Sequence, residues 1–139
     1  MIQRKQTLWL LLATVAAFLT LKFSFYTGNV LELKNIKTYK TLDARFDILI
    51  LIVTVAIAVI SLVTIFLYND RKKQLLLCTT NCLLSITVIV LYFLQTKKFV
   101  DGAISITSLI TLVIPVLIML AIVGIYRDEK LIKSVDRLR

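Results

Sequence analysis

Cys78, Asn81 and Cys82 fall close together inside one long apolar stretch, and among all residues of this sequence their types and spacing come nearest to chemistry. On a helix the two cysteines, four apart, would share a face and present two thiols to one point. A closed zinc site needs four ligands, and the sequence has no histidine and no third cysteine to supply the rest. A thiol in apolar surroundings also stays protonated and inert, so a redox role is disfavoured. Asn81 carries both a donor and an acceptor. Within hydrocarbon such an amide acts as a hydrogen-bond fastener between helices, worth about 1 kcal/mol, with ligand contact as the alternative role.

The rest of the inventory narrows the chemistry further. Without histidine there is no imidazole base. Only Gly28, Gly102 and Gly124 are present, so a phosphate-cradling glycine loop has no material, and no P-loop, dinucleotide fingerprint or zinc-protease helix motif occurs. A proton-coupled carrier would need carboxylates or histidines in mid-membrane, and a voltage sensor would need spaced arginines. No ionisable residue lies in the middle of an apolar stretch; Lys22 and Asp47 stand at the ends. The expectation is a protein that is not an enzyme, with no catalytic residue, metal or cofactor.

The elements that carry these residues follow from charge. It is absent from Gln6–Leu21, Ile48–Asn69, Gln74–Thr96 and Gly102–Tyr126, which are 16, 22, 23 and 25 residues long. A helix rises about 1.5 Å per residue, so roughly 20 apolar residues cross a bilayer core about 30 Å thick. Three windows suffice outright. The first suffices if Lys22 snorkels to the headgroups and Phe23, Phe25 and Tyr26 occupy the interface. A cleaved signal peptide is the rival reading, but no small-x-small cleavage pattern follows. The expected fold is therefore an all-α integral membrane protein. Its single domain, 1–139, has spans at about 6–26, 47–69, 74–96 and 102–126 that form a small four-helix bundle, and a cytoplasmic tail at 127–139.

Orientation follows from the basic residues. The side holding both termini and the 69–74 turn carries ten of the 17 Lys and Arg, and the other side carries seven spread over a longer length. The positive-inside rule then places both termini in the cytoplasm. The net charge of +9 belongs to membrane boundaries, where anionic headgroups rather than nucleic acid are the expected partner. In the loop 22–47, Thr27-Gly28-Asn29 reads as a turn. Residues 30–40 read either as a short strand or hairpin on the outer membrane surface or as an irregular linker. In the tail, Leu131, Val135 and Leu138 make one narrow apolar stripe. This is a helical extension of the fourth span or a short amphipathic helix on the leaflet, and the same stripe could dock a partner.

Inside the spans, small and weakly polar residues recur in stripes: Ala13, Ala16, Ala17 and Thr20; Thr54, Ala58 and Ser61; Cys78, Asn81, Cys82 and Ser85; Ser105, Ser108, Thr111 and Pro115. Helices in lipid associate through such faces, so Asn81, Ser85, Ser108, Thr111 and Pro115 are the candidate packing residues. Pro115 should free the carbonyl of Thr111 and bend its helix. Arg4 and Lys5 at one end, and Asp128, Glu129, Asp136, Arg137 and Arg139 at the other, would meet in one cytoplasmic layer and are the candidate docking surface. The bland alternative is lipid anchoring.

The opening Met1-Ile-Gln-Arg-Lys-Gln-Thr-Leu-Trp-Leu-Leu-Leu12 and the closing Arg127-Asp-Glu-Lys-Leu-Ile-Lys-Ser-Val-Asp-Arg-Leu-Arg139 resemble a family of four-span inner-membrane proteins of Bacteroidota known only as a domain of unknown function (DUF4293-like). The resemblance covers the whole chain in length and layout, and only its ends are specific. It implies a bacterial cytoplasmic membrane and brings no activity, substrate or cofactor. By subtraction, the expected function is contact with another membrane protein, as an accessory or structural subunit of a larger complex. A small transporter or channel working as an oligomer is the alternative.

Overall fold

The computed structural model describes residues 5–31, 37–67 and 70–136. Its elements are α1 (Lys5–Thr20), β1 (Tyr26–Leu31), β2 (Lys37–Leu42), α2 (Ile48–Phe66), α3 (Arg71–Thr96), β3 (Phe99–Ile104) and α4 (Ser108–Asp136). The protein is mostly helical. Three helices are long and apolar enough to cross a membrane: Ile48–Phe66, Arg71–Thr96 and Ser108–Lys130. The first is an apolar helix of 16 residues, shorter than the other three.

Two corrections to the sequence reading concern the chain between helices. First, the fold is not purely α-helical: β1, β2 and β3 form an antiparallel sheet in the order β2-β1-β3. Thr27-Gly28-Asn29 is no turn but the middle of the central strand. Second, the apolar window that begins at Gly102 is divided. Gly102–Ile104 finishes β3, and the helix starts only at Ser108.

A glycine pair accounts for both. Gly28 and Gly102 lie opposite each other across β1 and β3. A Cβ on Gly28 would stand 2.3 Å from the Asp101 carbonyl oxygen, and one on Gly102 would stand 2.5 Å from that of Thr27. The two backbones approach closely only because neither residue has a side chain. Windowed hydropathy sees Gly102 as neutral filler, whereas its value lies in a pairing with a strand some seventy residues away.

The helix ends are built for this sheet. After Thr20 the backbone tightens, with Leu21 N donating to the Phe18 carbonyl (3.2 Å) and Lys22 N to that of Leu19 (3.0 Å). Phe25 N then reaches the Leu42 carbonyl at 2.7 Å and enters the sheet. The Phe23–Tyr26 segment expected to prolong the first helix therefore leaves it. On the far side Ser105 N donates to the Phe25 carbonyl (3.1 Å) and Thr107 Oγ1 to that of Ser24, so the start of α4 is tied to the end of α1.

Because the sheet joins the segments after α1, before α2, after α3 and before α4, the helices run alternately towards it and away from it. α1 packs against α2 and α4, and α3 packs against the same two. Inner faces follow 3–4 spacing: Gln6, Leu10, Ala13, Ala17 and Thr20 on α1, and Gln74, Cys78, Asn81, Ser85, Val88 and Tyr92 on α3 are all buried. Residues at this spacing share one helix face. The outer faces of α1, α2 and α4 carry large apolar residues such as Leu8, Val15, Ile52, Val59, Val116 and Val123. α4 runs on unbroken past Tyr126 to Asp136, so the tail is continuous with the fourth helix.

Candidate functional site: a polar seam and its aromatic cap

The interior has two unlike halves. Away from the sheet, amides and hydroxyls of α1, α2 and α3 stand among buried apolar residues such as Leu10, Ile118 and Ile125. Asn81, 1% exposed, donates from Nδ2 to Ser61 Oγ of α2 at 2.7 Å. Seven residues earlier on the same face, Gln74 donates from Nε2 to the Thr64 carbonyl of α2 at 3.3 Å. A carbonyl only accepts, so this contact fixes which way the Gln74 amide faces. Ser85 turns its hydroxyl back to the Cys82 carbonyl at 2.7 Å, and Thr64 does the same to Ile60 at 2.6 Å. Gln6 of α1 is buried at this end as well, against Gly124 of α4, where an added Cβ would lie 3.2 Å from the Gln6 Cβ.

Several buried polar atoms have no partner among the described residues. Gln6 Oε1, Gln74 Oε1, Asn81 Oδ1 and Thr54 Oγ1 are each enclosed in residues at most 3% exposed, and Tyr92 Oη and Gln95 Oε1 under the sheet are unpartnered as well. At the end of the seam, Arg71 likewise has a buried Nη1 without an acceptor. Such atoms cost roughly 1–3 kcal/mol apiece unless something meets them.

Under the sheet the interior is aromatic. Phe25 stacks on Tyr92 with centroids 4.6 Å apart and planes 12° from parallel, and its edge meets Phe93 at 5.6 Å. Tyr26 and Phe46 both pack on Phe99, at 5.3 and 5.8 Å. Asp47 joins this layer to α2: its Oδ1 caps the helix at Leu49 N (2.9 Å), and its Oδ2 accepts from Gln95 Nε2 of α3. The strand residues Leu42 and Phe99, with Ala44 beyond β2, close the floor of the layer.

The candidate packing residues are all buried, yet they do not converge. Asn81 and Ser85 belong to the polar half, roughly 16–23 Å along α3 from its sheet end. Ser108 opens α4 at the sheet, Thr111 follows one turn on, and Pro115 lies only about 10 Å along. Of the candidate docking surface, Asp128 and Glu129 are half-buried on the part of α4 beyond Tyr126. Arg4, Arg137 and Arg139 lie outside the described residues, as do the side chains of Lys5 and Asp136, which open α1 and close α4. Cys78 and Cys82 are free and buried. Among the described residues no three Cys, Asp or Glu side chains gather as metal ligands.

Sequence reasoning passed over Gln6 and Gln74, which open two of the apolar windows, and Thr64, which lies inside another. Spacing held the missing signal. Gln6 precedes Leu10, Ala13 and Ala17 by the steps of an inner face, and Gln74 precedes Cys78 and Asn81 in the same way.

With this geometry in view, the family described as a domain of unknown function (DUF4293) matches residues 2–138. The chain belongs to that family. Its description names no activity, substrate or cofactor, and the match takes in the polar seam, the sheet and the extension of α4 alike. Comparison with curated proteins and with solved structures finds no match.

Proposed function

We propose that this chain is a non-enzymatic membrane protein that acts by contact, as an accessory or structural subunit of a larger complex in a bacterial cytoplasmic membrane. In this reading α1 also crosses the bilayer, the four helices form a bundle, both termini are cytoplasmic and the sheet lies on the outer surface. The observation that carries it is how the inner faces are used: they are spent on one another, through Asn81–Ser61 and Gln74–Thr64, while α4 extends ten residues past Tyr126. A helix that outruns its span by about 15 Å has length to offer a partner. Arg71, Lys72, Lys73, Arg127 and Lys130 would sit at the cytoplasmic headgroups, each drawn to anionic lipid by about 1 kcal/mol.

The experiment is purification in mild detergent of the full chain and of a chain ending at Arg127, followed by identification of what accompanies each. A stoichiometric membrane partner held by the full chain and lost on truncation is the expected result. A lone homo-oligomer in both cases would remove the reading. The second reading, a small transporter or channel, is favoured by one specific observation, the row of unpartnered acceptors in the polar half of the interior.

A further inference from the structure

Among the described residues the unpartnered side-chain oxygens fall in two groups: Tyr92 Oη and Gln95 Oε1 at the sheet end of α3, and four that reach from the far end towards the sheet. Gln6 Oε1 and Gln74 Oε1 lie at the end remote from the sheet, on opposite helices α1 and α3. Asn81 Oδ1 is two turns deeper on α3, and Thr54 Oγ1 of α2 is deeper again, close below the aromatic layer. Both α3 amides spend their N–H on α2, at Thr64 and Ser61. The amide oxygens are therefore turned away from those contacts, and both are enclosed. At the outer end Arg71, three residues before Gln74 on the same face, adds an unmatched donor. Enclosed amide oxygens without donors on α1 and α3, with an unmatched donor at the same end, are matched most simply by hydrogen-bonding solvent. Buried water typically makes about three hydrogen bonds to groups of this kind.

Beyond Thr54 the lining changes. Tyr92, Phe25 and Ile50 are buried, and the Phe25–Tyr92 stack spans from the chain after α1 to α3. We propose that the polar half of the interior is a water-entered half-channel. It opens at the end carrying Gln6 and Gln74, reaches past Asn81, and is stopped by the Phe25–Tyr92 stack beneath the sheet. Gln6 and Gln74 enclose the entrance. Both are unbranched with three rotatable bonds, so they admit water by turning rather than by moving a helix. The inference goes beyond the contact role proposed above and does not depend on it, because a subunit docked through α4 can be wet or dry inside.

The protein carries its own reporters. Cys78 and Cys82 lie on the seam between Gln74 and Ser85, and Cys78 is wholly buried, so it is shielded from lipid. Silver ion, which is small and does not cross lipid, replaces the thiol proton to give a silver thiolate and a free proton. It would be added to sealed vesicles of each orientation containing the full chain, with thiol loss read by intact mass. Modification of Cys78 at least tenfold faster from the side of the termini than from the side of the sheet is expected. Gln74→Leu should slow it at least tenfold, and Gln6→Leu, which leaves the α2–α3 contacts in place, serves as the second variant if Gln74→Leu fails to fold. Cys78 left intact from both sides would show a dry seam and overturn the proposal. Equal rates from both sides would show an open pore and overturn the stop at Phe25–Tyr92. Rates unmoved by either glutamine variant would overturn the entrance.

Discussion

The two halves of the interior are held by opposite means. In the polar half, α3 gives α2 two modest hydrogen bonds, one from Asn81 to the Ser61 hydroxyl and one from Gln74 to the Thr64 carbonyl. Under the sheet, large rings and a backbone pairing of residues far apart in sequence do the same work with far more buried area and almost no tolerance for added atoms. The difference shows where this protein is plastic and where it is not. Substitutions in the polar half should tune it, whereas substitutions under the sheet should break it.

The most severe of these breaks is expected at Phe25. Phe25→Ala removes the ring stacked on Tyr92 and edged by Phe93, and should destabilise the protein by about 3–5 kcal/mol. Thermal or denaturant unfolding in detergent checks it, and a cost near 1 kcal/mol would erase the contrast between the halves. Next in size is Gly28→Ala. The new Cβ meets backbone rather than a flexible side chain, so about 1–3 kcal/mol of strain and a proteolytically exposed β1–β3 edge are expected. Gly124→Ala is the matched control in the polar half. There the Cβ lands 3.2 Å from the Gln6 Cβ, and a shift of a few tenths of an ångström should absorb it with no loss of fold.

Smaller again is the Asn81–Ser61 coupling. A double-mutant cycle with Asn81→Leu and Ser61→Ala should return about 1 kcal/mol, the usual worth of one hydrogen bond between helices in lipid. A value near zero would mean that the amide is held by something else. Least of all is expected from Lys73→Ala, since the Lys73–Asp70 pair (2.8 Å) is exposed and its loss should leave unfolding unchanged at physiological salt.

The sequence made the two halves unequally legible. Asn81, Ser85, Thr54 and Ser61 could be assigned to inner faces because they recur with small residues in stripes, whereas Thr79, Thr80 and Thr87 face outward and satisfy their hydroxyls on their own helix. The apolar residues could not. Leu10 and Leu11, or Ile57 and Val59, are interchangeable to hydropathy, and only packing decides that Leu10 and Ile57 are buried while Leu11 and Val59 face outward. The sheet was harder still. Periodicity is a local signal, and a six-residue strand such as Phe99–Ile104 merges into the apolar run that follows it. Gly28 looked like a turn because glycine usually marks one, and its real requirement is the close approach of Gly102. Residues 30–40 read equally as a hairpin or an irregular linker; β2 pairs with β1, and neither reading contained the third strand that joins them in the helix-capping layer.

The central claim is that the sheet and the termini lie on opposite faces of a membrane, with the polar half of the interior turned to the cytoplasm. Side-specific reporters fused after Arg139, within the turn at Asp70, and at Asn29 in β1 test it most directly. The expected result is a cytoplasmic signal from the first two and an external signal from the third. A C-terminal reporter found outside, or on the same side as the one at Asn29, would contradict it.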